Sequence, residues 1–303
     1  FASHPQALLA AGAVDKRIDP VSLHHLFSLH GVIPAPRTIL QGIHKCTPGH
    51  SLTVSDGKVS GEKNYWSLND IPIDTLRSEQ EWQQEIRMHL LDAVNKRLRA
   101  SDFTVGVLLS GGLDSSLLVA LLSELEIDVL HTFSVGFEDT PQEQGSEFEY
   151  SDAVVEHFKT QHRKIIIPNT EVLQTLPACV QAMAEPMFGQ DAVAFYLLSQ
   201  RVSREIKVVQ SGQGADEVFG GYFWYPQIAA SQGEDVDRIA DHYFDRDHQE
   251  FLQTVTADYH GEDFTRQWLV QELNKIPHGE LVDKLLRLDV STLIVDDPVK
   301  RVD

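Results

Sequence analysis

Residues 110–116 read Ser110-Gly-Gly-Leu-Asp-Ser-Ser116, a seven-residue stretch that combines two glycines, three hydroxyls and one carboxylate. Together they describe a phosphate cradle. Backbone N–H groups at the start of a helix have no intrahelical partner, and the helix dipole favours an anion there. Gly111 and Gly112 permit a tight turn and a close approach of ligand to backbone. The hydroxyls of Ser110, Ser115 and Ser116 can donate to phosphate oxygens, and the carboxylate of Asp114 can hold the Mg²⁺ that accompanies them. A second run, Lys207-Val-Val-Gln-Ser-Gly-Gln-Gly-Ala-Asp-Glu-Val-Phe-Gly-Gly-Tyr222, repeats the logic of a short apolar stretch, then glycines, then acids. Asp216 can face the same magnesium–pyrophosphate as Asp114, and Ser211 and Gly212 can offer backbone contacts to a nucleotide.

These loops need a scaffold that brings them together. Phe103-Thr-Val-Gly-Val-Leu-Leu109 precedes the first loop and Leu117-Leu-Val-Ala-Leu-Leu122 follows it, which predicts a strand, a turn and a helix. From residue 103 the pattern alternates. Strands are predicted at 103–109, 129–137, 163–167 and 207–210, and helices at 115–125, 149–160, 170–184 and 192–204. Alternation of this kind predicts an α/β fold, a doubly wound parallel sheet with helices on both faces. In such a sheet the loops at the carboxyl ends of neighbouring strands line one crevice. Residues 223–303 read as mostly helical. Upstream, Asp19-Pro20 is a helix start, residues 31–66 read as short strands and turns, 67–77 as a linker, and Ser78-Glu-Gln-Glu81 as a capping box opening an amphipathic helix. The chain contains neither G-x-x-x-x-G-K-[ST] nor, after a strand, G-x-G-x-x-G, so the nucleotide loops of P-loop NTPases and dinucleotide enzymes are excluded. His24, His25 and His30 carry no Cys, Asp or Glu at metal-ligand spacing, and are expected to be surface and core histidines.

The two loops, in this order, resemble those of the ATP pyrophosphatase (PP-loop) superfamily, adenine nucleotide α-hydrolase-like in fold. Within it they resemble the synthetase domain of the glutamine-dependent asparagine synthetase family. Further matching stretches are Gly31-Val-Ile-Pro-Ala-Pro-Arg-Thr38, Pro48-Gly-His50, Tyr65-Trp66, Phe133-Ser-Val-Gly-Phe137 and Glu185-Pro186. The resemblance implies an AMP-forming carbon–nitrogen ligase that uses ATP and Mg²⁺ to adenylate a carboxylate, releases pyrophosphate, and amidates with ammonia from glutamine. It implies that Leu109, Val135, Ser211 and Gly212 border the adenine, and that Ser110, Gly111, Gly112, Leu113, Asp114, Ser115 and Ser116 hold the pyrophosphate. Asp114 and Asp216 would hold the magnesium, and Glu185 would orient groups near the acyl site.

Two departures bear on the acyl substrate. Gln213 stands where many members have a glutamate that acts as general base, and an amide cannot take a proton. Gln190 stands near the position of an arginine that pairs with the aspartate carboxylate, and a bidentate pair of that kind is not reproduced by glutamine. Other stretches resemble the N-acetylglutaminylglutamine amide synthetases of the family, which amidate an acylated dipeptide osmolyte. They are Glu147-Phe-Glu-Tyr-Ser-Asp152, Ala194-Phe-Tyr-Leu-Leu-Ser199, Val208-Val-Gln-Ser-Gly-Gln-Gly-Ala-Asp216, Trp224-Tyr-Pro-Gln227 and Val295-Asp-Asp-Pro-Val-Lys-Arg-Val-Asp303. Asparagine synthetase acting on aspartate, a β-lactam-forming relative and a nucleotide-binding non-enzyme are the alternatives.

The expected division is 1–77 as the end of a glutaminase domain with its junction, and 78–303 as the synthetase domain, cut short at its C-terminus. The rest of the N-terminal glutaminase domain is expected as a partner, a homodimer is compatible with the resemblance, and a catalytic lysine is expected beyond Asp303. The chain has 25 basic and 45 acidic residues and a formal charge of −20, which repels nucleic acid. Cys46 and Cys179 do not make a disulfide framework, no apolar run approaches the ~20 residues of a membrane span, and a cytoplasmic location is expected.

Overall fold

The computed structural model describes residues 1–125, 127–139, 145–146, 148–187, 189, 191–276 and 278–298. Two helices come first, α1 (Pro5–Ala11) and α2 (Pro20–Ser28). Asp19 caps α2 by accepting from the Val21 N–H, with Pro20 as the first helical residue. An antiparallel hairpin follows, β1 (His50–Ser55) and β2 (Lys58–Asn64). Of the short strands and turns expected over 31–66, this hairpin supplies the strands and the stretch before it is turns, with one bridge from Leu40 back to Ile18. After a 3₁₀ turn at Leu68–Asp70 comes α3 (Glu79–Arg99), whose Ser78 and Glu81 form the reciprocal capping box.

The α/β unit then runs β3 (Val105–Leu108), α4 (Leu113–Ser123), β4 (His131–Phe137), α5 (Phe148–Phe158), β5 (Gln161–Ile167), α6 (Asn169–Ala182), α7 (Asp191–Val202) and β6 (Val208–Gln210). Its four strands form a parallel sheet in the order β5-β4-β3-β6. β3 sits inside the sheet and is buried through Val105, Gly106 and Val107, as a parallel strand covered on both faces must be. One face packs Val107, Leu109, Val119 and Leu122 with Val94 of α3. The other packs Phe133, Ile165 and Ile167 against Leu197, Leu198 and Val202 of α7 and Cys179 of α6.

The predicted strands and helices all appear, with ends moved by a few residues. α4 starts at Leu113 rather than 115, because Gly112 rather than a serine occupies its N-cap. β5 starts at Gln161, because α5 ends at Phe158.

Beyond the sheet the chain is helical, as expected: α8 (Ala215–Phe219), α9 (Trp224–Ala230), α10 (Asp235–Tyr243), α11 (His248–Thr254), α12 (Phe264–Lys275), α13 (Leu281–Ser291) and α14 (Leu293–Asp296). Ile228, Ile239, Leu269, Leu285 and Leu293 form a third core, which Leu29 and Val32 also enter. α2 therefore belongs to the helical layer. His24 and His25 are buried in it, each with Nδ1 against Thr265 Oγ1, at 2.6 and 3.1 Å. Burial keeps both imidazoles neutral, pushing His24 down to about 4 and His25 to about 3.

The segment between α2 and the hairpin is tied down through Lys45. Its ammonium reaches Glu185 Oε2 at 2.8 Å, Asp296 Oδ2, and the Ile33 carbonyl at 2.7 Å. The Ile39 N–H donates to Glu185 Oε1 (2.9 Å) and the Ile33 N–H to Asp296 Oδ2 (3.0 Å). Among the described residues no helix is long and apolar enough to cross a membrane.

Candidate active site

β3 and β6 are hydrogen-bonded neighbours, with Val107 opposite Gln210. Their carboxyl ends therefore release the 110–116 and 211–216 loops side by side. The two loops touch: a methyl at Gly212 would stand 3.0 Å from Asp114 Cβ and 3.0 Å from the Ser115 backbone nitrogen. Between the loops and the end of β4 lies an open cleft of about 450 Å³. Leu109, Ser110, Gly112, Asp114, Ser115, Val135, Ser211, Gly212, Gln213 and Asp216 line it.

The first loop is braced by its own hydroxyls. Ser115 Oγ accepts from the Ser110 N–H (3.2 Å) and lies 3.0 Å from Ser110 Oγ, which in turn accepts from the Gly112 N–H (3.2 Å). Ser116 turns back and donates to the Gly112 carbonyl at 2.7 Å, away from the cleft. Gly111 has φ +92°, and a side chain there would strike the Ser151 backbone nitrogen at 2.5 Å. No side chain caps α4 at Gly112. A serine-rich cap would have used its hydroxyls on those amides; here the amides of the first turn are left for an anion.

On the second loop, Asp216 fits because the backbone at residue 221 carries no side chain; a Cβ on Gly221 would collide with Asp216 Oδ1. Burial raises the Asp216 pKa, and the negative charge of Asp114 raises it further. Two carboxylates that repel each other across a cleft form a donor set suited to a hard divalent cation, so the residues present fit magnesium.

Gly111, Leu113 and Ser116 belong to the loop but do not line the cleft. Leu113 points outward, 82% exposed. Glu185, expected near the acyl site, is not among the residues lining the cleft: it is 6% exposed and its two oxygens meet Ile39 and Lys45. Gln190 lies outside the described residues.

The structure adds residues that the motifs did not mark, chiefly Phe137, Phe148, Phe195, Ser134 and Ser146. Phe137 and Ser134 belong to the β4 stretch already singled out by resemblance. Phe148 and Phe195 lie in the resemblance stretches 147–152 and 194–199, but no motif gave them a place at the cleft; for Phe195 it is the packing of α7 under β4 that brings it there.

Residues 85–303 match the asparagine synthase family, and residues 1–66 match the glutamine amidotransferase domain. The chain belongs to the asparagine synthase family. It is 33% identical over 226 residues to asparagine synthetase [glutamine-hydrolyzing] 1 of Bacillus subtilis, covering 74% of this chain and 34% of that protein. It is 29% identical over 213 residues to asparagine synthetase B [glutamine-hydrolyzing] of Escherichia coli, covering 65% of this chain and 36% of that protein. The chain thus spans about a third of the length of these curated relatives. Among solved structures it is similar to NMN synthetase from Francisella tularensis, with a TM-score of 0.34 and 12% identity over 74% of this chain and 96% of that one.

Proposed function

We propose that this chain supplies the ATP-dependent half of a glutamine-dependent amide synthetase. It would adenylate a carboxylate and then pass the acyl group to ammonia. The observation that carries this reading is the contact of the two acidic, glycine-rich loops at the carboxyl ends of adjacent parallel strands, with an uncapped helix start between them.

In the first step a substrate carboxylate oxygen bonds to the α-phosphorus of ATP, and the bond from that phosphorus to the bridging oxygen breaks. Charge develops on the departing pyrophosphate, and the amides of the first turn of α4, with Ser110 and Ser115, are placed to receive it. Asp114 and Asp216 would hold a magnesium ion, which when bound neutralises phosphate charge. Ammonia then bonds to the acyl carbon and AMP leaves with the electron pair of the C–O bond. Gln213 lines the cleft but its neutral amide cannot accept the proton that ammonia loses. That proton goes to phosphate or water, and Gln213 serves to orient the acyl group by hydrogen bonding. Glutamine, and the remainder of the amidotransferase domain matched at residues 1–66, would be the ammonia source.

For the acyl substrate we favour an acylated dipeptide such as N-acetylglutaminylglutamine over aspartate. Among the described residues lining the cleft there is no lysine or arginine, while four phenylalanines, Phe133, Phe137, Phe148 and Phe195, stand there. Aspartate would bring a second carboxylate and an ammonium needing partners of their own. In the dipeptide the only charge is the carboxylate that reacts. The test is pyrophosphate release by the full-length protein with ATP, Mg²⁺ and ammonia, comparing the two acceptors. Turnover with the dipeptide supports this reading; turnover with aspartate alone overturns the substrate assignment, and turnover with neither overturns the adenylation chemistry.

A further inference from the structure

In the helical layer, on elements separate from the nucleotide loops, three metal-ligating side chains converge from distant parts of the chain. His24 Nε2 of α2 lies 3.0 Å from Nδ1 of His248, the first residue of α11, and 3.8 Å from Oδ1 of Asp263, which precedes α12. All three ligand atoms fall within 4.8 Å of one another. We propose that His24, His248 and Asp263 form a binding site for a divalent transition-metal ion of the zinc class.

The spacing fits. A tetrahedron with metal–ligand legs of about 2.1 Å has edges of about 3.4 Å, and the two measured edges bracket that value. Two imidazoles and one carboxylate are a common zinc donor set, with water in the fourth position. His248 and Asp263 are only half-buried, so the open side of the cluster faces solvent and admits both ion and water.

The surroundings hold the first ligand still. His24 is 1% exposed, and its ring packs against Phe251 at 4.5 Å and edge-on against Phe264 at 6.0 Å. Its other nitrogen meets Thr265 Oγ1 at 2.6 Å. A ligating histidine normally gives its second N–H to such an outer partner, which fixes the tautomer and leaves the far nitrogen bare. Thr265 Oγ1 also touches His25 Nδ1, so it can accept from His24 while donating to His25. An ion here would pin α2 to the starts of α11 and α12; it is a structural clip and takes no part in the chemistry proposed for the cleft.

The experiment is titration of the full, chelator-stripped chain with Zn²⁺ under saturating Mg²⁺, followed by calorimetry, and with Co²⁺ followed by visible absorption. One equivalent should bind, with the intense visible band of four-coordinate cobalt. His248→Gln should weaken zinc binding at least about tenfold, and Thr265→Val, which removes only the outer partner, by about 10- to 100-fold. Absence of the cobalt band in the unaltered chain overturns the site. So does zinc binding that His248→Gln leaves unchanged, which would place the ion elsewhere, for instance on Asp114 and Asp216.

Discussion

Gly212 presses its α-carbon face against Asp114: a methyl there would lie 3.0 Å from Asp114 Cβ and 3.1 Å from its carbonyl carbon. The second loop therefore sets where the first can stand. Gly212→Ala should push the loops apart by a few tenths of an ångström or more, in a site where misplacement of about 1 Å costs on the order of 100-fold in rate. Pyrophosphate release should fall by about 10- to 100-fold, with little change in the denaturation midpoint, because the loops are at the surface. A rate within twofold of the unaltered protein would show that the cleft tolerates a wider gap.

Asp114 and Asp216 are expected to act as a pair. Asp114→Asn or Asp216→Asn should each lower pyrophosphate release by about 100-fold or more and raise the Mg²⁺ concentration for half-maximal rate. A magnesium titration of each variant checks this. If both carboxylates hold one ion, the double variant should be little worse than either single one, since residues acting as a unit are not additive.

Lys45 is the cation between two buried carboxylates, Glu185 and Asp296, whose side chains are 4% and 7% exposed. Replacing it with methionine keeps the stem but leaves both charges facing each other in the interior. Breaking a buried ion pair by removing one partner costs about 3–5 kcal/mol, and Lys45→Met should lose stability on that scale in urea. A loss below about 1 kcal/mol would show that water reaches the carboxylates.

Asp289 carries a pH dependence. It is fully buried, and its two oxygens each accept from a tyrosine, Tyr225 and Tyr243, at 2.7 Å. Burial pushes its pKa up from 3.8 to about 7, outweighing the two hydrogen bonds and nearby His30, which favour the charged form. Between those values the folded state binds a proton that the unfolded chain has released, so stability falls as pH rises from about 4 to about 7. The slope is at most about 1.4 kcal/mol per pH unit. Asp289→Asn should flatten the curve, shrinking the stability difference between pH 5 and pH 7 by about 2 kcal/mol; denaturant melts at the two pH values measure it. Curves with the same slope would mean that Asp289 is ionised in the fold.

Much of this architecture is legible in the sequence where the determinants are local. The apolar run before Ser110 and the glycines after it fix strand, turn and helix within a few residues of one another. The same holds for Val208 and the loop that follows it. Asp19-Pro20 and Ser78 with Glu81 announce their helices by capping chemistry alone. What escapes a linear reading depends on partners far along the chain. Glu185 is named near the acyl site by resemblance, yet in the fold its oxygens meet Lys45, 140 residues earlier, and the Ile39 N–H. Phe195 reaches the cleft because α7 packs under the sheet. His24 shows no ligand spacing in sequence, because His248 and Asp263 come to it only when α11 and α12 fold over α2.

The clasp at Lys45 also bears on how such chains can be rearranged. Lys45 lies in the stretch that matches an amidotransferase domain, whereas Glu185 and Asp296 lie in the stretch that matches asparagine synthase. A boundary drawn between those stretches passes through a shared interior. A swap that exchanged one stretch between relatives at residue 66 or 85 would inherit two buried carboxylates matched to another protein's cation. Crossovers that move residues 31–45 together with Glu185 and Asp296 keep the charges balanced, so these positions are expected to travel as one unit.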